Sequence, residues 1–238
     1  MVLNFSLTVD ENLKGEDGAG CFHGSNKVYL ENGEEKQISG VKVGDSVLAV
    51  NEHGILRFST VIMQIHESPE DEFIFRVIRT KTGRNLTLTP HHLMYKKSND
   101  EAKMNLEGFG TFFPVFAADV NKGDYVLVLD GKSGMKKDEV VSTDMVYLNG
   151  VYSPLTDHGN IVVEDILASC YSVYESHSIQ HLAFAPFRWF YDVKRKLQSM
   201  NISKKLGHSV EELRDFGRHW YGDALIAIAN NMALEKIA

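Results

Sequence analysis

The sequence predicts a mostly β domain of duplicated, pseudo-two-fold design, followed by a small helical module. Three observations predict it. Short strand-like runs recur between turn signals from residue 21 to about residue 174. One pattern, Val43-Gly44-Asp45-Ser46-Val47-Leu48, returns downstream as Lys122-Gly123-Asp124-Tyr125-Val126-Leu127. Beyond residue 174 the apolar residues change to helical spacing.

Residues 1–20 come first and form a polar tether. Its end, Lys14-Gly15-Glu16-Asp17-Gly18-Ala19-Gly20, is rich in glycine, and Gly20 has no side chain to shield its carbonyl. Residues 21–174 read as all-β. Lys27-Val28-Tyr29-Leu30 runs into the turn residues Glu31-Asn32-Gly33, and Phe73-Ile74-Phe75-Arg76-Val77-Ile78 runs into Lys81-Thr82-Gly83. Asn85-Leu86-Thr87-Leu88-Thr89 alternates polar and apolar, as a half-buried strand does. In each copy of the repeat, Gly-Asp makes a turn and Val-Leu opens a strand. The copies lie too far apart for a solenoid and suit one β unit duplicated about a pseudo-two-fold axis. Two unrelated Gly-Asp turns would give the same four matches. Residues 175–238 read as two or three helices. Val210, Leu213, Phe216 and Trp220 share helical spacing, as do Leu225, Ile228 and Met232, and Ser209 with Glu212 has the spacing of a capping box.

Composition narrows the function. A chain of 238 residues with 43% apolar content can bury a real core. Its net charge of −7 argues against a nucleic-acid partner. Two basic runs, Lys194-Arg195-Lys196 and Lys204-Lys205, read as a solvated helix face before they read as an anionic-lipid contact. Two cysteines, Cys21 and Cys170, do not make a disulfide framework. No apolar run reaches the roughly 18 residues of a membrane span. No signal peptide is visible at the start, whereas sequons at Asn4, Asn85 and Asn201 hint at a secretory compartment. A secretory chain of this kind would be a fragment of a longer precursor.

The chemistry concentrates at Gly20-Cys21-Phe22 and Thr89-Pro90-His91-His92. Together they offer a thiol, a hydroxyl and an imidazole that could meet at one peptide bond, Gly20–Cys21. A free cysteine is only about 3% thiolate at pH 7, so the thiol needs a base nearby. A small buried apolar role is the ordinary fate of such a cysteine, and a lone Thr-x-x-His is ordinarily structural.

These residues carry a resemblance. The chain is similar to the carboxy-terminal autoprocessing domain of hedgehog proteins, which has the Hint fold shared with inteins. The matching pieces are Gly20-Cys21-Phe22, the two Gly-Asp-x-Val-Leu strand starts, Thr89-Pro90-His91-His92-Leu93, Pro154-Leu155-Thr156 and Gly159-Asn160-Ile161-Val162-Val163. Ala168-Ser169-Cys170-Tyr171, Ala185-Pro186-Phe187-Arg188 and His219-Trp220-Tyr221 follow.

The resemblance implies a two-step reaction. Cys21 attacks the carbonyl of Gly20 to form a thioester, and the 3β-hydroxyl of cholesterol then takes the acyl group. His92 would protonate the departing amine, Thr89 would orient or polarise the same peptide, and His91 has no role. Cys170 matches a family cysteine near the active site, where redox exchange and simple packing are equal readings. The residues downstream resemble a sterol-recognition region, with Phe184, Phe187, Trp189, Phe190, Trp220 and Leu225 as sterol contacts or, equally, as packing. The resemblance also implies an amino-terminal signalling polypeptide in cis, a membrane surface as partner, a monomer, and a precursor in the secretory pathway, in the endoplasmic reticulum lumen or secreted. No cofactor is required beyond cholesterol as co-substrate.

The chain departs from the family at His66, where an aspartate is usual and is taken to activate the sterol hydroxyl. The second step is then lost, or shifted to Glu67 or Asp71, or carried by the imidazole itself. Neutral imidazole accepts a proton and titrates nearer working pH than a carboxylate, so transfer through His66 is expected to fade below about pH 6. Zinc on Cys21, His66 and His92 would block the thiol and inhibit. Two other functions compete: a Hint domain whose thioester goes to water or a small thiol, and a non-catalytic sterol- or membrane-binding module.

Overall fold

A computed structural model describes residues 20–51, 53–97, 111–131 and 134–171. The expected helices of residues 175–238 and the tether before Gly20 lie outside these described residues, and so do Phe184, Phe187, Trp189, Phe190, Trp220 and Leu225.

Among the described residues the secondary structure is strand and short 3-10 turn. The strands, in chain order, are β1 (Phe22–His23), β2 (Lys27–Tyr29), β3 (Glu35–Gln37), β4 (Ser46–Val50), β5 (Leu56–Thr80) and β6 (Asn85–Leu88). Then come β7 (Leu93–Lys97), β8 (Phe112–Phe116), β9 (Tyr125–Leu129), β10 (Met135–Thr156), β11 (Asn160–Val163) and β12 (Ile166–Ser169). They join in one continuous sheet. No described helix is long and apolar enough to cross a membrane.

The duplication suggested by Gly44-Asp45 and Gly123-Asp124 is written in the backbone, bond for bond. Gly44 N–H donates to the Val61 carbonyl and Gly123 N–H to Val140, each at 2.8 Å. Val61 N–H returns to the Asp45 carbonyl and Val140 N–H to Asp124, again at 2.8 Å. Each aspartate also accepts the N–H three residues before it, from Lys42 or from Asn121, at 2.8 Å. Both glycines have φ near +100°, at 100° and 92°, a conformation that disfavours a side chain. A 3-10 turn precedes each copy, at Ile38–Gly40 and Ala117–Asp119. The two matched turns are therefore equivalent parts of one repeated unit.

β5 and β10 are the long strands that bind the copies together. They pair antiparallel from Val61 with Thr156 to Thr80 with Val140. β5 is longer than the run Phe73–Ile78 that the sequence marks, and it continues through Glu67-Ser68-Pro69-Glu70-Asp71-Glu72. A register shift explains how. Ser68 faces Val151 and Glu72 faces Asn149, so residues 69–71 bulge opposite Gly150. Pro69 sits in that bulge, where its missing N–H breaks no ladder bond. Gly150 has φ 93°, and a Cβ there would lie 3.2 Å from the Pro69 carbonyl oxygen.

The pairings also close a circuit that places the nucleophile candidate. β1 pairs with β10 through Phe22–Tyr152 and His23–Val151, and with β6 through Phe22–Leu88. β6 pairs with β5, and β5 with β10. Successive side chains on a strand face opposite ways. Phe22 accordingly enters the main core with Val47, Leu88, Val126, Val140 and Ile161, whereas Cys21 joins a separate small cluster with Phe75 and Val151. β6 follows the expected alternation, with Leu86 and Leu88 buried and Asn85 exposed.

Candidate functional site

Thr89 holds Cys21, the residue just before β1, by both of its main-chain groups. Its N–H donates to Thr89 Oγ1 at 2.9 Å, and its carbonyl accepts the Thr89 N–H at 2.8 Å. This reciprocal pair aligns the Gly20–Cys21 peptide against the turn after β6. The turn itself is closed by His92 N–H donating to the Thr89 carbonyl at 3.0 Å. Pro90 within it cannot extend a ladder, so β6 stops at Leu88 and the chain swings His92 inward.

His92 is fully buried, with its ring 4.1 Å from that of Phe22. Its Nε2 lies 2.8 Å from the Ser169 carbonyl oxygen. A carbonyl can only accept, so Nε2 carries the proton and the basic lone pair of the neutral ring sits on Nδ1. Nδ1 is buried without a well-formed hydrogen bond, beside the Gly20 main chain. Burial drives the His92 pKa down to about 4, against the pull of the Ser169 and Gly20 main-chain groups. The imidazole is thus neutral at physiological pH and lies beside the Gly20 main chain.

The Cys21 N–H is held by Thr89 and not by the imidazole of His92. The reason lies in the donors: Nε2 is spoken for by Ser169, and the threonine hydroxyl reaches the amide from the adjoining strand.

Thr89 and Cys21 are thus joined by hydrogen bonds, and His92 is set beside the Gly20 main chain. Cys170 and His66 sit apart from that group. Cys170 is buried in the main core, its Sγ 3.5 Å from Thr156 Oγ1, whose own hydroxyl donates to the Asn160 carbonyl at 2.7 Å. Burial pushes the Cys170 thiol up to about 11. It is a protonated, packed thiol, and neither cysteine is in a disulfide. His66 is half-buried on β5 with its ring edge-on to Phe73 at 6.2 Å, and Phe73 packs against the Cys21 cluster. Phe73 thus links His66 to the Cys21 cluster. His91 is exposed, edge-on to Phe116 at 6.1 Å. No three His, Cys, Asp or Glu side chains among the described residues are placed to hold a metal ion, so Cys21, His66 and His92 do not gather into the inhibitory zinc site considered above.

The structure adds residues that the sequence reading passed over. The Ser169 carbonyl sets the His92 tautomer, and no side-chain pattern announces a carbonyl; its only signal is its place in Ala168-Ser169-Cys170-Tyr171. Phe22 walls the imidazole. His23 lies on the same side of β1 as Cys21 and meets Phe75 edge-on at 5.3 Å. Its Nδ1 is 2.7 Å from Ser25 Oγ, and burial lowers its pKa against the opposing pull of the Asn149 main chain.

The sequence profile of the Hint module family matches residues 11–234. The chain belongs to the Hint module family. This Hint domain is 36% identical over 216 residues to Sonic hedgehog protein of Danio rerio, which is 90% of this chain and 50% of that protein. It is 32% identical over 215 residues to Protein hedgehog of Drosophila virilis, 88% of this chain and 43% of that one. The chain thus spans about half the length of the curated relatives it matches. A crystal structure of a variant of the Ssp DnaB mini-intein superposes with a TM-score of 0.51 at 16% identity, covering 66% of the Hint domain's chain and 96% of the intein. At that identity the likeness is one of fold, and it agrees with the all-β, duplicated architecture.

Proposed function

We propose that the chain cleaves its own backbone at Gly20–Cys21 through an internal thioester and passes the amino-terminal acyl segment to the 3β-hydroxyl of cholesterol. One observation carries the reading. The Cys21 peptide is gripped by Thr89 through both of its main-chain groups while the imidazole of His92 lies beside the Gly20 main chain.

In the first step Nδ1 of His92 takes the proton of the Cys21 thiol, and sulfur attacks the Gly20 carbonyl carbon. The resulting imidazolium returns that proton to the Cys21 nitrogen, the C–N bond breaks, and a thioester and a free amine remain. Without that proton the intermediate would expel thiolate and revert. Thr89 Oγ1 holds the same nitrogen through its N–H and fixes where the proton must arrive. The low pKa of His92 makes its uptake of the thiol proton the uphill part of this step and the return of that proton to nitrogen the downhill part. In the second step His66 takes the proton of the acceptor alcohol, oxygen attacks the thioester carbonyl, and the Cys21 thiolate leaves. Cys170 takes no part, since its thiol stays protonated in the core. The acyl segment is an amino-terminal signalling polypeptide in cis, and the precursor travels the secretory pathway to meet sterol at a membrane surface.

Mass spectrometry of the purified chain before and after cholesterol tests the proposal. The amino-terminal product should gain the mass of one sterol less water. Cleavage by dithiothreitol without sterol adduct would leave the thioester and remove the sterol. No cleavage by either reagent would remove both steps, and Cys21→Ala should abolish both.

A further inference from the structure

Beside Cys21 the sheet carries an apolar surface that the described residues cover only in part. Phe75 and Val151 are buried against Cys21, while Phe73, Val146 and Leu148, which pack on them, remain partly exposed. These residues share one side of the β5–β10 ribbon, where Phe73 faces Leu148 and Phe75 faces Val146. Two imidazoles border the strip: His23 lies edge-on to Phe75, and His66 edge-on to Phe73. The opposite side of the ribbon is also apolar, with Ile74, Met145 and Tyr147 exposed, but no residue of the Cys21 cluster lies on it.

We propose that the strip Phe73–Val146–Leu148, floored by the buried Phe75, is the platform on which the hydrocarbon body of the acceptor alcohol lies, with its hydroxyl end between Cys21 and His66. This rests on the sterol-transfer reading above and adds where the acceptor is held. The continuity of the strip with Cys21 selects the occupant. A molecule seated there has one end at the acyl carrier and must present mostly carbon along the strip, since the four side chains offer no hydrogen-bond partner. Its one polar group must then sit at the edge, where His66 can accept a proton. A rigid, flat hydrocarbon with a terminal hydroxyl meets both demands. An extended peptide does not, because its amides would be left unpaired on the strip. Water or a small thiol would gain nothing from the strip.

Photoaffinity mapping tests the placement. The full chain with Cys21→Ala, which cannot consume the probe, is mixed in detergent micelles with cholesterol bearing a ring diazirine, irradiated and digested. Adducts should fall on peptides holding Phe73, Phe75, Val146 or Leu148 and should be displaced by excess plain cholesterol. Adducts confined to residues 172–238, or indifferent to competition, would overturn the platform. Leu148→Glu in the otherwise native chain supplies the functional arm. Cleavage by dithiothreitol should stay within about 2-fold of the parent, while the cholesterol concentration for half-maximal cleavage rises about 10-fold, the loss expected for one leucine-sized contact. An unchanged sterol response would sink the proposal. If thiol cleavage also falls, Leu148→Gln takes its place, with the same two readouts deciding. The parent's product mass keeps the readings separable. Sterol ester formed with the label elsewhere defeats only the platform, and thiol cleavage without any sterol ester defeats the acceptor itself.

Discussion

Around Gly44–Asp45 and around Gly123–Asp124 the backbone makes the same hydrogen bonds at nearly the same lengths. At the points where the two copies begin, the residues have nothing in common. The first is approached through Gly20-Cys21-Phe22, the second through Thr89-Pro90-His91-His92. The carbonyl that orients His92 comes from Ser169, after the second copy has ended. Duplication thus built the frame, and the candidate reactive groups occupy the seams that it left. A seam is free to diverge, because its residues are not bound to serve two equivalent environments. The frame is not free in this way: Lys36 Nζ meets Asp45 at 2.7 Å and Lys96 Nζ meets Asp124 at 2.7 Å, from strands that are not equivalents in the repeat. Both copies keep their aspartate paired, although the lysine partner comes from a different place.

If seam and frame have separate duties, substitutions should divide cleanly between them. The largest effect belongs to His92→Ala, which should slow thioester formation by about 10²–10⁴-fold, as loss of a positioned acid–base group does. Single-turnover cleavage in dithiothreitol measures it, and a loss under 10-fold would move the proton transfer to another group. Thr89→Val keeps the shape and deletes the hydroxyl. It should slow the same step by about 10-fold, the kinetic worth of roughly 1.4 kcal/mol from one lost hydrogen bond.

The next effect is on stability and has a sign. Native His92 titrates at about 4, well below its unfolded value near 6.5, because burial disfavours the charged ring. Between those values the unfolded chain binds more protons than the native one. The contribution is therefore complete above pH 6.5 and is lost as pH falls to about 4, by about 3 kcal/mol in all. Urea unfolding of the parent and of His92→Gln at pH 7 and pH 4.5 should show a smaller decline in the variant. Equal declines would mean that other groups carry the dependence.

The smallest effects test the frame. Asp45→Asn and Asp124→Asn should each cost about 1–2 kcal/mol, since each removes a partly exposed ion pair and weakens one main-chain hydrogen bond. Thiol cleavage at full folding should be unaltered in both. Costs that differ by more than about 1 kcal/mol would mean that the two copies bear unequal load.

Much of this was legible in the chain alone, and the reasons are local. Gly44 and Gly123 mark their turns because few other residues adopt φ near +100°. The Asn85–Leu88 strand shows its buried face because pleating alternates side chains with period two. Cys21, Thr89 and His92 stand out because few side chains provide a nucleophile, a hydroxyl and a base. The length of β5 was not legible, since Glu67 to Glu72 hides a bulge whose cause, Gly150, lies on the partner strand. For Cys170 the sequence left redox exchange and packing as equal readings, whereas its neighbours in space show a thiol packed in the core with its pKa raised by burial. Sequence alone determined which groups could react and where the chain must turn. Tertiary structure decided which nitrogen of His92 is basic, that Thr89 rather than His92 holds the amide, and that an apolar strip adjoins the thiol. Those outcomes depend on carbonyls and packing supplied from strands far apart in the chain, and no local pattern of residues encodes the position of a distant backbone oxygen.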